Sequence, residues 1–331
     1  MATHVFISLC RMYLNASGDL LNQLTEKGYE LSVLVEDEEP SPHEKVLKYI
    51  ADADIAIIAG VRISKEQMEH AKRLRLICVF GSGTDLIDID EASRRGIDVV
   101  SCRGGNAGSV AELSIGCMIS LSRNLYQHQC DQRGNNWYPI IGNEISGKTL
   151  GILGMGAVGK TLAKKASQGF QMQVFAYDVV REEHAELEYG FSYKELDEII
   201  KQADYLSIHL PLTKDTRHLL SDSAFAQIKP GCFLINLSRG GVVDEEALLR
   251  AIQSGKLGGA ALDVFEQEPR FSDAFKQLSN VLLSPHIGGS TREGVHRNGE
   301  MILKNIEDVL EGRNPSICWI NPNRKRQGEC V

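Results

Sequence analysis

Apolar and polar positions alternate in two registers along the first hundred residues. Val5–Ser8, Leu31–Val35, Ile55–Ala59 and Leu76–Val79 are short apolar runs of strand length, whereas Leu20–Lys27, Val46–Ala51 and Glu66–Arg73 repeat at helical intervals. Strands alternating with helices predict β-α-β units and a parallel sheet. The stops agree with this reading. Gly28 closes one helix, Ser64-Lys65-Glu66-Gln67 is a capping box that opens another, and Gly96 after Arg94-Arg95 ends a third ahead of Ile97–Val100. At Asn106 the pattern changes. Val110, Leu113, Cys117 and Leu121 form one stripe while Ile115, Met118 and Ile119 occupy others, so Asn106–Asn124 reads as a helix buried all round. Small Ser114, Gly116 and Ser120 would admit another helix closely. This helix and the arm Gln127–Gly142, with Trp137 and Tyr138, are expected to form a two-fold dimer interface.

The alternation restarts at Lys148 and runs to Pro285, with strands expected at 149–153, 173–177, 204–209, 232–236, 259–263 and 281–284. Ser192-Tyr193-Lys194-Glu195 reads as a second capping box, opening a helix that ends near Ala203. Apolar residues at helical intervals in Glu293–Leu310 predict a last helix that returns to cover the first domain, making that domain discontinuous.

Composition narrows the class. A chain of 331 residues suits two domains, and 43% hydrophobic with 24% charged residues is that of a soluble globular protein. A net charge of −8 argues against a nucleic-acid surface, and the basic cluster Asn323–Arg326 reads as a solvated terminus. Met1–Leu14 has no charged n-region, and no apolar run approaches the ~20 residues of a membrane span. Eight cysteines without a C-x-x-C pair read as reduced thiols, which predicts a cytoplasmic protein. No two of the nine histidines stand i, i+4 on one helix, so no metal is expected.

The candidate chemistry begins at Thr149–Lys160. An apolar strand feeds into Gly154-Met155-Gly156-Ala157-Val158-Gly159, which opens a helix. This G-x-G-x-x-G order suits a dinucleotide pyrophosphate, with a tight turn, close backbone approach and unpaired N–H donors at a helix start. A second strand ends at Asp178, at the distance where an acid binds a ribose 2′-hydroxyl, and this predicts NAD; Arg181 is the one nearby cation that would argue for a 2′-phosphate. Ligands of parallel sheets lie beyond the carboxyl ends of the strands. That rule selects Asp178, Pro211 of His209-Leu210-Pro211, Arg239 of Asn236–Gly241, Asp263, and His286 of Pro285–Thr291, with Glu268 within reach of the histidine. Arg239, His286 and Glu268 meet the needs of hydride transfer to a 2-keto acid: a cation, a proton donor, and a carboxylate that favours the imidazolium.

These segments together resemble the D-isomer-specific 2-hydroxyacid dehydrogenases, over nearly the whole chain. Most telling are Gly147–Gly156, Asn236–Leu248, Ala261–Phe265 with Glu268-Pro269, and Pro285–Thr291. The resemblance implies an α/β fold of two doubly wound parallel-sheet domains, a Rossmann NAD-binding domain (102–291) inserted into a flavodoxin-like substrate domain (1–101 and 292–331). It places the catalytic Arg, Glu and His at Arg239, Glu268 and His286, and a nicotinamide-amide contact at Asp263. NAD is expected against Gly154, Met155, Gly156, Ala157, Val158, Gly159, Asp178, His209, Pro211, Leu237, Ser238, Asp263, His286 and Gly288. Backbone N–H groups at Ser82 and Gly83 are expected to hold the substrate carboxylate. Ser101-Cys102-Arg103-Gly104-Gly105 departs from the family's usual Asn-Thr-Pro type of run, and Arg103, together with Arg62, is expected to receive a phosphate or second carboxylate on the substrate.

Leu234–Pro269 is closest to the 3-phosphoglycerate dehydrogenase-like members, yet glyoxylate, hydroxypyruvate, 3-phosphohydroxypyruvate and larger 2-keto acids all suit the same residues. Ser82, where phosphite-oxidising members place a lysine, and Glu268, which is not a glutamine, disfavour phosphite and formate as substrates. An NAD(H)-sensing corepressor that binds protein partners is the alternative reading.

Overall fold

The computed structural model describes residues 2–38, 42–134 and 137–322; the basic cluster Asn323–Arg326, Cys330 and positions 135 and 136 of the arm lie outside the described residues. The chain forms two compact units, residues 1–106 with 289–331 and residues 107–288.

The first unit is built on a parallel sheet of β1 (His4–Leu9), β2 (Glu30–Val35), β3 (Ile55–Ile58), β4 (Leu76–Val79) and β5 (Asp98–Ser101), in the order β2-β1-β3-β4-β5. β3 and β4 are buried at every position, as strands covered on both faces must be. One face is covered by the helix Arg292–Leu310, whose Val295, Ile302 and Ile306 share a core with Val5, Ile7 and Ile57. The returning helix therefore packs where its apolar spacing predicts. Ser64 caps Lys65–His70 in the expected box, its N–H donating to Gln67 Oε1 at 2.9 Å, and Gly96 follows Ile89–Arg94 with a φ of 72°.

The second unit carries β6 (Thr149–Leu153), β7 (Gln173–Tyr177), β8 (Ser192–Tyr193), β9 (Tyr205–Ile208), β10 (Cys232–Asn236), β11 (Leu257–Leu262) and β12 (Val281–Leu283), ordered β12-β11-β10-β9-β6-β7-β8 and parallel throughout. Counted from β6, the order is 3-2-1-4-5-6-7, that of the dinucleotide-binding fold (3-2-1-4-5-6) with one further strand at the edge, and the reversal lies between β6 and β9.

Two expectations need correction here. Ser192 does not cap a helix, because Ser192 and Tyr193 pair with Phe175 and Ala176 at the sheet edge. The helix starts at Leu196, with Glu195 as its N-cap and the Glu198 carboxylate accepting from the Glu195 N–H at 3.2 Å. Nor is the helix Ala107–Ser122 buried all round: Glu112 and Gly116 reach the surface, where Lys165 pairs with Glu112 at 2.9 Å. Its remaining surface joins the core containing Leu150, Ile152 and Leu162.

The arm continues as a helix, Leu125–Arg133, after which Trp137, Tyr138 and Ile141 are 83%, 80% and 96% exposed. Seven cysteines of the described residues are free thiols, and burial pushes Cys102 and Cys117 up to about 12. Among the described residues no helix is long and apolar enough to cross a membrane.

Candidate active site

The switch point of the second sheet is closed by glycines. Gly154, just past β6, has a φ of 101°, and a Cβ on it would stand 2.6 Å from the His209 carbonyl oxygen that follows β9. A Cβ on Gly159 would meet the Gly154 oxygen at 2.1 Å, so the new helix packs onto the turn only with glycine there. Gly156 has the opposite character. It is the N-cap of Ala157–Phe170, and a Cβ on it would meet nothing within 4 Å. Open space therefore adjoins a helix start whose first N–H groups lack intrahelical partners, the setting an anion requires.

The acid that follows β7 sits beside the glycine turn. Asp178, after β7, accepts from the Met155 N–H at 2.7 Å and the Val180 N–H at 3.0 Å, which fixes its carboxylate beside the glycine turn. Arg181 is engaged elsewhere: it pairs with Glu195 at 2.6 Å and lies over the Tyr193 ring at 5.6 Å. His209 shares a hydrogen bond of 2.9 Å with Ser207 Oγ, and burial pushes its pKa down to about 4, so the ring is neutral. Leu237 is buried, Ser238 half-buried and Pro211 exposed. The glycine cradle, the helix start and the fixed acid fit a dinucleotide with a free ribose hydroxyl.

On the other side of the same sheet end, Asn236 builds the loop that carries Arg239. Its side-chain oxygen accepts from the N–H and Oγ of Ser238 at 3.2 and 3.0 Å, and its Nδ2 donates to the Arg239 carbonyl at 3.0 Å. The Arg239 guanidinium donates to the Ser238 carbonyl at 2.7 Å. A Cβ on Gly240 would stand 2.0 Å from the carbonyl carbon of Phe265, so this loop presses directly on the loop that carries Glu268.

Glu268 accepts from the Phe265 N–H at 3.0 Å with one oxygen and meets His286 Nδ1 at 2.8 Å with the other. His286 has a φ of 54°, sparsely used by residues with a Cβ. Asp263 holds it there. The His286 N–H donates to the Asp263 carbonyl at 2.9 Å, and the Asp263 carboxylate takes the N–H groups of Ile287 and Gly288 at 2.8 and 2.7 Å and Ser284 Oγ at 2.6 Å. Asp263 is 1% exposed, and all these bonds fasten the histidine loop.

The charges around His286 favour its protonated form. The hydrogen bond to Glu268, then its charge, raise the imidazole pKa against the opposing effects of desolvation and Arg239. For Glu268, burial opposes ionisation but is outweighed by His286, the Phe265 N–H and Arg239, and the carboxyl is held below its usual range.

Of the expected site residues, Arg239, Glu268 and His286 thus come together beyond the carboxyl ends of β10, β11 and β12, and Gly154–Gly159 and Asp178 at the neighbouring turn. Ser82, Gly83, Arg62 and Arg103 belong to the first unit, where Ser82 Oγ donates to Asn106 Oδ1 at 3.2 Å and both arginines are exposed. Sequence reasoning missed Asn236 and Ser284. An Asn two residues before a Ser at a strand end is the sign of an Asx turn, which would have revealed Asn236; Ser284 carries no such sign.

Residues 115–288 match the family described as D-isomer specific 2-hydroxyacid dehydrogenase, NAD binding domain. A glyoxylate reductase of Thermococcus litoralis is 35% identical over 88% of this chain and 91% of its own length. The D-3-phosphoglycerate dehydrogenase of Rattus norvegicus is 36% identical over 82% of this chain, which spans about half (51%) of that relative. A solved glyoxylate reductase from Paecilomyes thermophila superposes with a TM-score of 0.84 at 28% identity, covering 98% of this chain and all of that one. The site geometry and these relatives agree, and the chain belongs to the D-isomer-specific 2-hydroxyacid dehydrogenases, enzymes that use NAD to interconvert a D-2-hydroxy acid and its 2-keto acid.

Proposed function

We propose that the protein reduces a short 2-keto acid, glyoxylate or hydroxypyruvate, through Arg239, His286 and Glu268. The observation that carries the roles is the 2.8 Å pair of His286 and Glu268 beside Arg239. Bound NADH supplies the hydride. Arg239 holds the substrate carboxylate and draws charge toward the carbonyl oxygen. His286 has Nδ1 committed to Glu268, so Nε2 is the nitrogen that presents a proton to that oxygen. As the alcohol forms, the imidazolium becomes neutral; in the reverse direction neutral His286 takes the hydroxyl proton. Asp263 is the nicotinamide-amide contact as well as the fastener of the histidine loop. In the first unit the Ser82 and Gly83 N–H groups are the proposed holders of the substrate carboxylate.

The choice of a short substrate is supported by the Thermococcus glyoxylate reductase, which matches over 91% of its length, whereas the phosphoglycerate dehydrogenase matches over about half (51%) of its own. Arg62, with no partner among the described residues, favours 3-phosphohydroxypyruvate as the second reading. Following NADH oxidation with glyoxylate, hydroxypyruvate, 3-phosphohydroxypyruvate and pyruvate tests the choice: the highest kcat/KM belongs to one of the first two, and a preference for the phosphorylated acid would replace this reading by the second. The protein is further a cytoplasmic homodimer, supported by its free thiols and by the exposed Trp137, Tyr138 and Ile141 of the arm.

A further inference from the structure

Arg103, which stands in the run that departs from the family's usual text, has a different neighbourhood from the one its sequence suggests. It lines a surface groove of about 520 Å³ with Arg297, Glu300, Met301, Lys304 and Ile317. Arg297, Glu300, Met301 and Lys304 stand three and four apart on the helix Arg292–Leu310 and so form one stripe of it. The opposite wall is the turn Arg103-Gly104-Gly105, in which Gly104 has a φ of 89°. This wall is fixed at both ends. Cys318 Sγ donates to the Arg103 carbonyl at 3.3 Å, and Arg297 Nε donates to the Gly105 carbonyl at 2.7 Å.

The groove is cationic within a chain of net charge −8. Arg297 is held by Nε, and neither its terminal nitrogens nor the Arg103 guanidinium has a partner among the described residues. Lys304 lies 3.1 Å from Asp308, but that carboxylate also takes Arg313 at 2.8 Å and Ser316 Oγ, so it neutralises the lysine only in part. Glu300 is the one acid of the lining, and its carboxylate lies 3.6 Å from His296 Nε2. Met301 and Ile317 add an apolar floor. Two guanidinium forks and an ammonium above hydrocarbon match an oxyanion with two charges on a short carbon chain.

We propose that this groove is a second anion site, taking a compact dianion, a phosphate monoester or a dicarboxylate, on residues none of which belongs to the Arg239–Glu268–His286 set. Arg103 is thereby assigned to this site and not to the substrate side chain. The test is calorimetric titration of the full chain, saturated with NADH, with inorganic phosphate and separately with succinate at fixed ionic strength. At least one probe binds with one-to-one stoichiometry, and the affinity survives Arg239→Ala. It weakens roughly tenfold or more in Arg103→Ala and in Arg297→Ala, the loss of one charge-assisted contact. In Glu300→Gln it tightens, a gain that a misfolded variant cannot mimic. Phosphate alone binding assigns the site to phosphate esters, and succinate alone to dicarboxylates. The proposal is overturned if neither probe binds, if Arg103→Ala and Arg297→Ala leave affinity unchanged, or if Arg239→Ala abolishes binding.

Discussion

Nδ1 of His286 and Oε2 of Glu268 lie 2.8 Å apart, joining the loop after β12 to the loop after β11. The bond raises the histidine's pKa, so the proton donor for reduction is present below that pKa and lost as pH rises through it. Reduction therefore falls and hydroxy-acid oxidation rises with pH across the same interval. Glu268→Gln removes the charge that raises the pKa and moves the descending limb of the reduction profile to lower pH. Profiles of kcat/KM for the two proteins check this, and superimposable limbs would show that Glu268 does not set the titration.

Asp178, tied to the glycine turn through the Met155 N–H, is the residue we propose to read the ribose. Asp178→Ala should narrow the preference for NAD over NADP, because a 2′-phosphate then meets no carboxylate. An unchanged ratio of kcat/KM for the two cofactors would assign the reading to another residue.

Gly240 cannot accept a side chain without separating the Arg239 and Glu268 loops, given the 2.0 Å approach of its Cβ position to Phe265. Gly240→Ala should lower stability by about 1–3 kcal/mol, as overpacking does, and reduce turnover as Arg239 shifts against Glu268. Denaturant melts and kcat would both have to stay at wild-type values for this account of the loop contact to fail.

Leu125 and Tyr126 at the start of the helix Leu125–Arg133, with Trp137, Tyr138 and Ile141 beyond it, present exposed apolar side chains on the second unit. Light scattering at micromolar concentration should return the mass of two chains, and Trp137→Ala with Ile141→Ser should shift it toward one. A single-chain mass for the wild type would remove the dimer from the account.

Much of the second sheet was legible because its strands are continuous apolar runs bounded by turn residues: β6, β7 and β10 occupy the expected 149–153, 173–177 and 232–236. Ser192 misled because S-x-x-E is a capping signal in isolation, and only the pairing with β7 reveals that the edge of the sheet had claimed it. The fold brings together Arg239, Glu268 and His286, which were singled out from their place at strand ends. The fastening by Asp263 was not, since its partners are backbone N–H groups 24 and 25 residues further on, which no periodicity records. Arg103 shows the same limit. Its turn meets Arg297 across a separation of 192 residues from Gly105, so its sequence neighbours say nothing of the groove it lines.

The most direct test of the central claim is NADH consumption at 340 nm with glyoxylate by the wild type and by His286→Asn, alongside NADH binding by both. The wild type should turn over steadily, and His286→Asn should bind NADH nearly as well while its turnover falls by roughly 10²–10⁴, the worth of a positioned general acid. Wild-type turnover in His286→Asn would contradict the role given to the histidine and, with it, the mechanism proposed for this site.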